Sequence, residues 1–130
     1  MTKPRILIVD DEPNLSDLVR MYLEKTQSYE VRVENMSAHA VRAAQEFGPD
    51  LFLLDVDMPG KEGGELAREL KRLPCFHKTP VIFLTSLISR EEAGDHETIR
   101  GGMRFLAKPV TAKVLVEAVA RALAGQTVDA

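Results

Sequence analysis

Four short runs of the sequence are made mostly of apolar residues, and polar residues follow each of them at once. They cover residues 5–9, 51–54, 80–84 and 103–106. Successive side chains of a strand point to opposite faces of a sheet, so a strand that is apolar throughout is buried on both faces. Burial on both faces is typical of a parallel sheet that is covered by helices on each side.

Amphipathic or polar stretches alternate with these runs. Ser37 is a plausible N-cap for an alanine-rich helix that stops at Gly48. The spacing of apolar residues predicts helices over residues 13–23, 37–47, 64–73 and 111–123, a polar and weakly helical segment over 89–100, and a half-exposed strand over 30–34. With right-handed crossovers, these elements predict a doubly wound α/β domain whose five-stranded parallel sheet has helices on both faces.

The length and composition are consistent with one domain in the cytoplasm. The chain has 130 residues, of which 3–124 are expected to form the domain and 125–130 a C-terminal tail. The single cysteine favours a reducing compartment, and the net charge of −3 argues against direct binding of nucleic acid. No apolar run reaches the ~18 residues of a membrane span, and no signal peptide is recognised, so we expect no membrane insertion.

Polar residues follow four of the predicted strands. They are Asp10, Asp11, Asp55, Thr85, Ser86 and Lys108. The carboxyl ends of parallel strands meet at one edge of a sheet, and in doubly wound folds the site lies at this edge, where the strand order reverses. Each residue alone has an ordinary explanation as a cap or a turn, but their convergence on one edge predicts a site.

The chemistry of this set favours a cation and a phosphoryl group. Three carboxylates and one lysine carry −3 + 1 = −2 charges, which one Mg²⁺ would neutralise with the oxygen ligands that it prefers. An ionised aspartate such as Asp55 can act as a nucleophile and form an aspartyl-phosphate. Lys108 and the hydroxyl group of Thr85 could then stabilise the phosphoryl oxygens.

These motifs resemble the receiver domain of two-component response regulators. The resemblance covers residues 5–123 and rests on the acid pair after the first strand, on residues 55–59 with Gly63 beyond them, on Thr85 and on the Lys108-Pro109 pair. It implies a flavodoxin-like fold with strand order 2-1-3-4-5. It also implies a switch without enzymatic turnover, apart from intrinsic autophosphorylation and autodephosphorylation.

The resemblance assigns roles to the site residues. Asp55 would accept the phosphoryl group from the phosphohistidine of a sensor histidine kinase or a phosphotransfer protein. Asp11 would bind Mg²⁺ directly, Asp10 mainly through water, and Asp55 and the backbone carbonyl of Asp57 would complete the protein ligands. Lys108, Thr85 and the backbone of Asp57 and Ser86 would bind the phosphoryl group. Thr85 and Phe105 would act as the switch residues.

The resemblance also implies an output. Phosphorylation would shift the face built from the fourth helix, fifth strand and fifth helix, and so control a partner or domain that the sequence does not identify. A homodimer is a further option, although Ala118 stands where the winged-helix branch of the family usually has an arginine.

Four residues depart from the commonest pattern of the family. Ser86 replaces alanine, Phe105 replaces tyrosine and Lys61 replaces an apolar residue. Asp57 places an acidic side chain at the mouth of the site, where with Leu87 it is expected to tune the lifetime of the phosphate.

Two other functions are consistent with the motifs. A receiver-like protein-binding module that is never phosphorylated would keep the fold without the chemistry. A haloacid-dehalogenase-type phosphatase also uses an Asp-x-Asp strand, as in Asp55 and Asp57, but there this strand comes before the acidic pair instead of after it.

Overall fold

Six strands form one sheet in the described part of this computed structural model, which comprises residues 2–86, 98–100 and 103–125. The strands are β1 (Arg5–Val9), β2 (Glu30–Glu34), β3 (Leu51–Asp55), β4 (Val81–Thr85), β5 (Thr98–Arg100) and β6 (Met103–Ala107). Their order across the sheet is β2-β1-β3-β4-β6-β5. The first four and β6 are parallel, which confirms the predicted five-stranded sheet and its strand order.

The short strand β5 was not predicted. It pairs antiparallel with β6, with Ile99 opposite Arg104. The prediction of a weak helix over residues 89–100 is therefore wrong for its last three residues, and residues 89–97 lie outside the described part. A Gly-Gly pair stands between the two strands in the sequence, a pattern typical of a hairpin connection.

Within the described residues, three α-helices connect successive strands and a fourth follows the last strand. They are α1 (Pro13–Glu24), α2 (Ala40–Phe47), α3 (Gly63–Lys71) and α4 (Ala112–Leu123). Gly48 ends α2 with a positive φ of 67°, and the side chain of Thr111 caps α4 by accepting a hydrogen bond from the amide of Val114. The prediction that Ser37 is the N-cap of α2 is wrong, because Ser37 opens a 3₁₀ turn (Ser37–His39) and His39 holds the N-cap position of α2.

The two faces of the sheet have separate cores. Alternate residues of each central strand point to opposite sides, so Ile6 and Leu53 pack with α1 and α4, whereas Leu7 and Phe52 pack with α2 and α3. All five residues of β3 are buried. β3 therefore lies at the centre of the molecule and carries Asp55 at its carboxyl end.

Among the described residues, no helix combines the length and the apolar character that crossing a membrane requires. Of the predicted C-terminal tail, only Gly125 lies in the described part, so the boundary at residue 124 stays a prediction.

Candidate functional site

Three carboxylates meet at the carboxyl edge of the sheet. Asp10 and Asp11 follow β1, and Asp55 ends the neighbouring strand β3. One carboxylate oxygen from each lies within 4.8 Å of the others. Asp10 and Asp55 have no exposed surface, whereas Asp11 is partly exposed. The predicted convergence of these three residues is thus seen in the structure.

Lys108 reaches this cluster from the loop after β6. Its Nζ donates a hydrogen bond to Oδ1 of Asp55 at 2.7 Å. Only 14% of the Lys108 side chain is exposed, and none of the Asp55 side chain is. Burial alone would lower the pKa of Lys108, but the hydrogen bond and the negative charge of Asp55 outweigh burial and raise it. Lys108 therefore stays charged beside Asp55 at neutral pH.

The surroundings of Asp10 disfavour its negative charge. Burial, and then the negative charge of Asp55, raise its pKa to about 6, against the lowering effect of a hydrogen bond from the amide of Glu12. That amide donates to Oδ1 of Asp10 at 2.9 Å. Lys108 supplies one positive charge beside three carboxylates, so the cluster keeps an excess of negative charge that a cation would neutralise.

The donor set fits a hard divalent cation. Three buried oxygens, Oδ2 of Asp10, Oδ1 of Asp11 and Oδ2 of Asp55, have no hydrogen-bond partner among the described residues. Buried polar atoms without partners are costly, and carboxylate oxygens are the ligands that Mg²⁺ prefers. The amide of Asp57 donates to Oδ1 of Asp55 at 3.2 Å, which holds the Asp57 backbone at the site. Its carbonyl as a cation ligand stays a prediction.

Thr85 and Ser86 lie at the end of β4, next to Asp55. Thr85 is 2% exposed, and its carbonyl accepts a hydrogen bond from the amide of Lys108 at 2.9 Å. The hydroxyl group of Ser86 donates to Oδ2 of Asp57 at 3.3 Å. The strand ends that carry the predicted phosphoryl-binding residues are therefore joined to each other around Asp55.

Two of the remaining predicted residues, Phe105 and Lys61, make contacts with residues other than the three carboxylates. Phe105 is partly buried and stacks on Phe83 with ring centroids 5.2 Å apart, so it belongs to the core as well as to the predicted switch. Lys61 forms an ion pair with Glu69 of α3, which gives this unusual lysine a partner. Leu87 lies outside the described residues.

Asn35 contacts the turn that carries Asp10 and Asp11, and Ser16 contacts Asn35. Neither residue was predicted as part of the site. The side-chain amide of Asn35 donates to the carbonyl of Asp10 at 2.7 Å and to the hydroxyl group of Ser16 at 3.0 Å. The only signal in the sequence was an asparagine directly after the second strand, which is also an ordinary turn residue.

A doubly wound sheet with an acidic, lysine-containing site at its switch point defines a class of α/β ligand-binding domains. Comparison with known proteins shows which family within this class the chain belongs to. The family model of the response regulator receiver domain matches residues 6–120, and the chain belongs to this family.

The chain is similar to several curated transcriptional regulatory proteins. It is 32% identical to TrcR of Mycobacterium tuberculosis over 114 residues, which are 86% of this chain and 42% of that protein. It is 36% identical to the phosphate regulon regulator PhoB of Pseudomonas aeruginosa over 118 residues, which are 89% of this chain and 50% of PhoB. The chain thus spans about half of the length of these relatives, or less.

Solved structures match it over nearly their whole length. The chemotaxis protein CheY4 of Vibrio cholerae superposes with a TM-score of 0.79 at 25% identity, covering 93% of this chain and 99% of CheY4. The receiver domain of a signal transduction histidine kinase from Syntrophus aciditrophicus gives a TM-score of 0.76 at 33% identity, covering 98% of this chain and 95% of that domain. The same fold thus occurs in a chemotaxis protein and in a signal transduction histidine kinase.

Proposed function

We propose that this chain is a phosphoacceptor switch in which Asp55 receives a phosphoryl group. The observation that carries the proposal is the contact of 2.7 Å between Lys108 Nζ and Asp55 Oδ1, beside two further carboxylates with unpartnered buried oxygens. Asp10, Asp11 and Asp55 would hold one Mg²⁺ together with the backbone carbonyl of Asp57. When bound, Mg²⁺ would neutralise charge on the phosphoryl oxygens.

The reaction transfers a phosphoryl group from nitrogen to oxygen. A carboxylate oxygen of Asp55 attacks phosphorus of a phosphohistidine, the new P–O bond forms, the P–N bond breaks, and the histidine leaves. Burial of Asp55 at the end of β3 fixes the nucleophile, and Lys108 is positioned to transfer its hydrogen bond to a phosphoryl oxygen. The Thr85 hydroxyl group and the backbone of Asp57 and Ser86 would bind the other oxygens.

The partners follow from the same chemistry. The donor would be a sensor histidine kinase or a phosphotransfer protein in the cytoplasm. Phosphorylation would shift the predicted output face, whose described elements are β6, which carries Phe105, and α4, and this shift would control an output partner or domain. The names of TrcR and PhoB describe transcriptional regulation by those longer proteins.

Uptake of phosphate from a small donor tests the proposal. Phosphoramidate with Mg²⁺ should add one phosphoryl group to the parent protein, as measured by intact mass, and none to Asp55→Asn. Asp57→Asn is the matched control, because it removes an exposed carboxylate two residues away and should still be modified.

The other outcomes discriminate between functions. No uptake by a folded parent protein would contradict the proposal and favour a protein-binding module that is never phosphorylated. The phosphatase alternative has no support from the family match, and only repeated turnover of a phosphomonoester would restore it.

A further inference from the structure

Asn35 joins two parts of the site that the proposed chemistry needs to keep in place. It follows β2 directly, and its side-chain amide reaches across to the end of β1. One contact is with the carbonyl oxygen of Asp10 at 2.7 Å, and the other is with the hydroxyl group of Ser16 at 3.0 Å. Both acceptors are oxygens that belong to the turn and helix after β1.

The first of these contacts acts on the peptide group between the two acids. The Asp10 carbonyl belongs to the peptide unit that joins Asp10 to Asp11, so a hydrogen bond to it restrains the plane from which Asp11 branches. The amide of Asp10 is already bound to the carbonyl of Glu34 at 3.1 Å. Both sides of the Asp10 backbone are therefore held by the end of β2.

The second contact reaches the first turn of α1. Ser16 is fully buried, and its hydroxyl group donates to the carbonyl of Pro13 at 3.1 Å. The N-cap residue of α1, Glu12, makes no side-chain cap. The helix start thus depends partly on Ser16, whose hydrogen bonds go to Pro13, Glu12 and Asn35 and not to the peptide between the acids.

Electrostatic repulsion makes a restraint on the acid pair necessary. Asp10, Asp11 and Asp55 place oxygens within 4.8 Å of one another. Without a cation, a movement of Asp11 away from the other two would lower their electrostatic repulsion. Asn35 also lines an open cleft of about 480 Å³ beside Asp11, so this side of the turn has room to move.

We propose that Asn35 is a positioning residue of the cation site, which holds the peptide between Asp10 and Asp11 in the orientation that binds Mg²⁺. This inference rests on the proposed function only for the identity of the cation. Partners of this kind, which orient metal ligands without touching the metal, typically contribute ~10–100-fold to affinity.

Calorimetric titration with Mg²⁺, without any phosphoryl donor, tests the inference. Asn35→Ala and Asn35→Leu both remove the donor, and leucine keeps most of the volume in case alanine impairs folding. Both variants should bind Mg²⁺ about 10-fold more weakly than the parent protein, or worse. Ser16→Ala is the matched control, because it removes the other contact of Asn35 and should lower the stability while Mg²⁺ affinity changes less than ~3-fold.

Two results would overturn the inference. One is unchanged Mg²⁺ affinity in a folded Asn35 variant, and the other is an equal loss of affinity in Ser16→Ala, which would make the network merely structural. A parent protein that binds Mg²⁺ but takes up no phosphate would refute the proposed function, whereas the comparison of Mg²⁺ affinities would still decide the role of Asn35.

Discussion

At the scale of single residues, Asp55 lies between one positive charge and two negative ones. Lys108 donates to it at 2.7 Å, and Asp10 and Asp11 each bring a carboxylate oxygen within 4.8 Å. Lys108 thus stabilises a buried charge that its other neighbours disfavour. The same imbalance attracts a cation, so stability and ligand binding are linked at this site.

Replacing Lys108 tests how much the buried ion pair contributes. Lys108→Met keeps most of the side-chain stem and leaves the Asp55 charge buried without its partner. The free energy of unfolding of the metal-free protein should fall by about 3 kcal/mol at pH 7, and added Mg²⁺ should restore part of it. Urea denaturation measures both effects.

The exposed pair of Arg42 and Glu46 supplies the matched control. Arg42 lies 3.5 Å from Glu46, and 84% of its side chain is exposed, so Arg42→Met should change the free energy of unfolding by less than about 0.5 kcal/mol. Equal stability of Lys108→Met and the parent protein would show that Lys108 does not stabilise the Asp55 charge.

Asp10 makes the metal-free protein sensitive to pH. Its pKa is raised from 3.8 to about 6 in the folded protein, so the folded state binds the proton more tightly than the unfolded state. The contribution of Asp10 to the free energy of unfolding should therefore decrease as the pH rises from about 4 to about 6, and stay low above that. The loss is roughly 1.4 kcal/mol for each unit of pKa shift.

Thermal or urea unfolding in the presence of a chelator measures this effect. Asp10→Asn should become more stable relative to the parent protein across the same interval. A difference between Asp10→Asn and the parent that is the same at every pH would rule out this role of Asp10.

At the scale of secondary-structure elements, the start of α3 controls the backbone of Asp55. A Cβ atom on Gly63 would lie 2.5 Å from the carbonyl oxygen of Asp55, a distance that requires the helix or the strand to shift. The amide of Gly63 donates to the carbonyl of Val56 at 3.1 Å, so this close approach is part of the connection between β3 and α3.

Alanine at two neighbouring glycines should therefore have different effects on stability. Gly63→Ala should lower the free energy of unfolding by about 1–3 kcal/mol and slow phosphate uptake by displacing Asp55. Gly64→Ala should be neutral or stabilising by up to ~1 kcal/mol, because its nearest contact would be Glu62 Oε1 at 3.9 Å and alanine favours helix. Equal stability of the two variants, measured by urea denaturation, would contradict the predicted clash.

Elements were predictable from the sequence where burial determines them. The apolar runs that became β1, β3 and β4 needed no information beyond their pattern, and the polar residues after them located the site edge. Ser37 and residues 98–100 were misread, because capping and short edge strands depend on tertiary contacts more than on local pattern. Asn35 was missed for the same reason, since its partner Asp10 lies 25 residues away in sequence.

At the scale of the whole molecule, the topology of the sheet accounts for the site. β1 and β3 are neighbours in the sheet although α1, β2 and α2 separate them in sequence, so Asp10 and Asp55 can meet. β4 and β6 continue the same edge and bring Thr85 and Lys108 beside them. The site residues come from the ends of four different strands, and the chemistry therefore requires the complete sheet.

Identification of the modified residue tests the central proposal most directly. Borohydride reduces the acyl phosphate of an aspartate to homoserine, so peptide mapping after phosphoramidate treatment shows which carboxylate was phosphorylated. Homoserine should appear at position 55 alone, and only when Mg²⁺ is present. Homoserine at position 10, 11 or 57, or none at any position in a folded protein, would contradict the assignment of Asp55 as the phosphoacceptor.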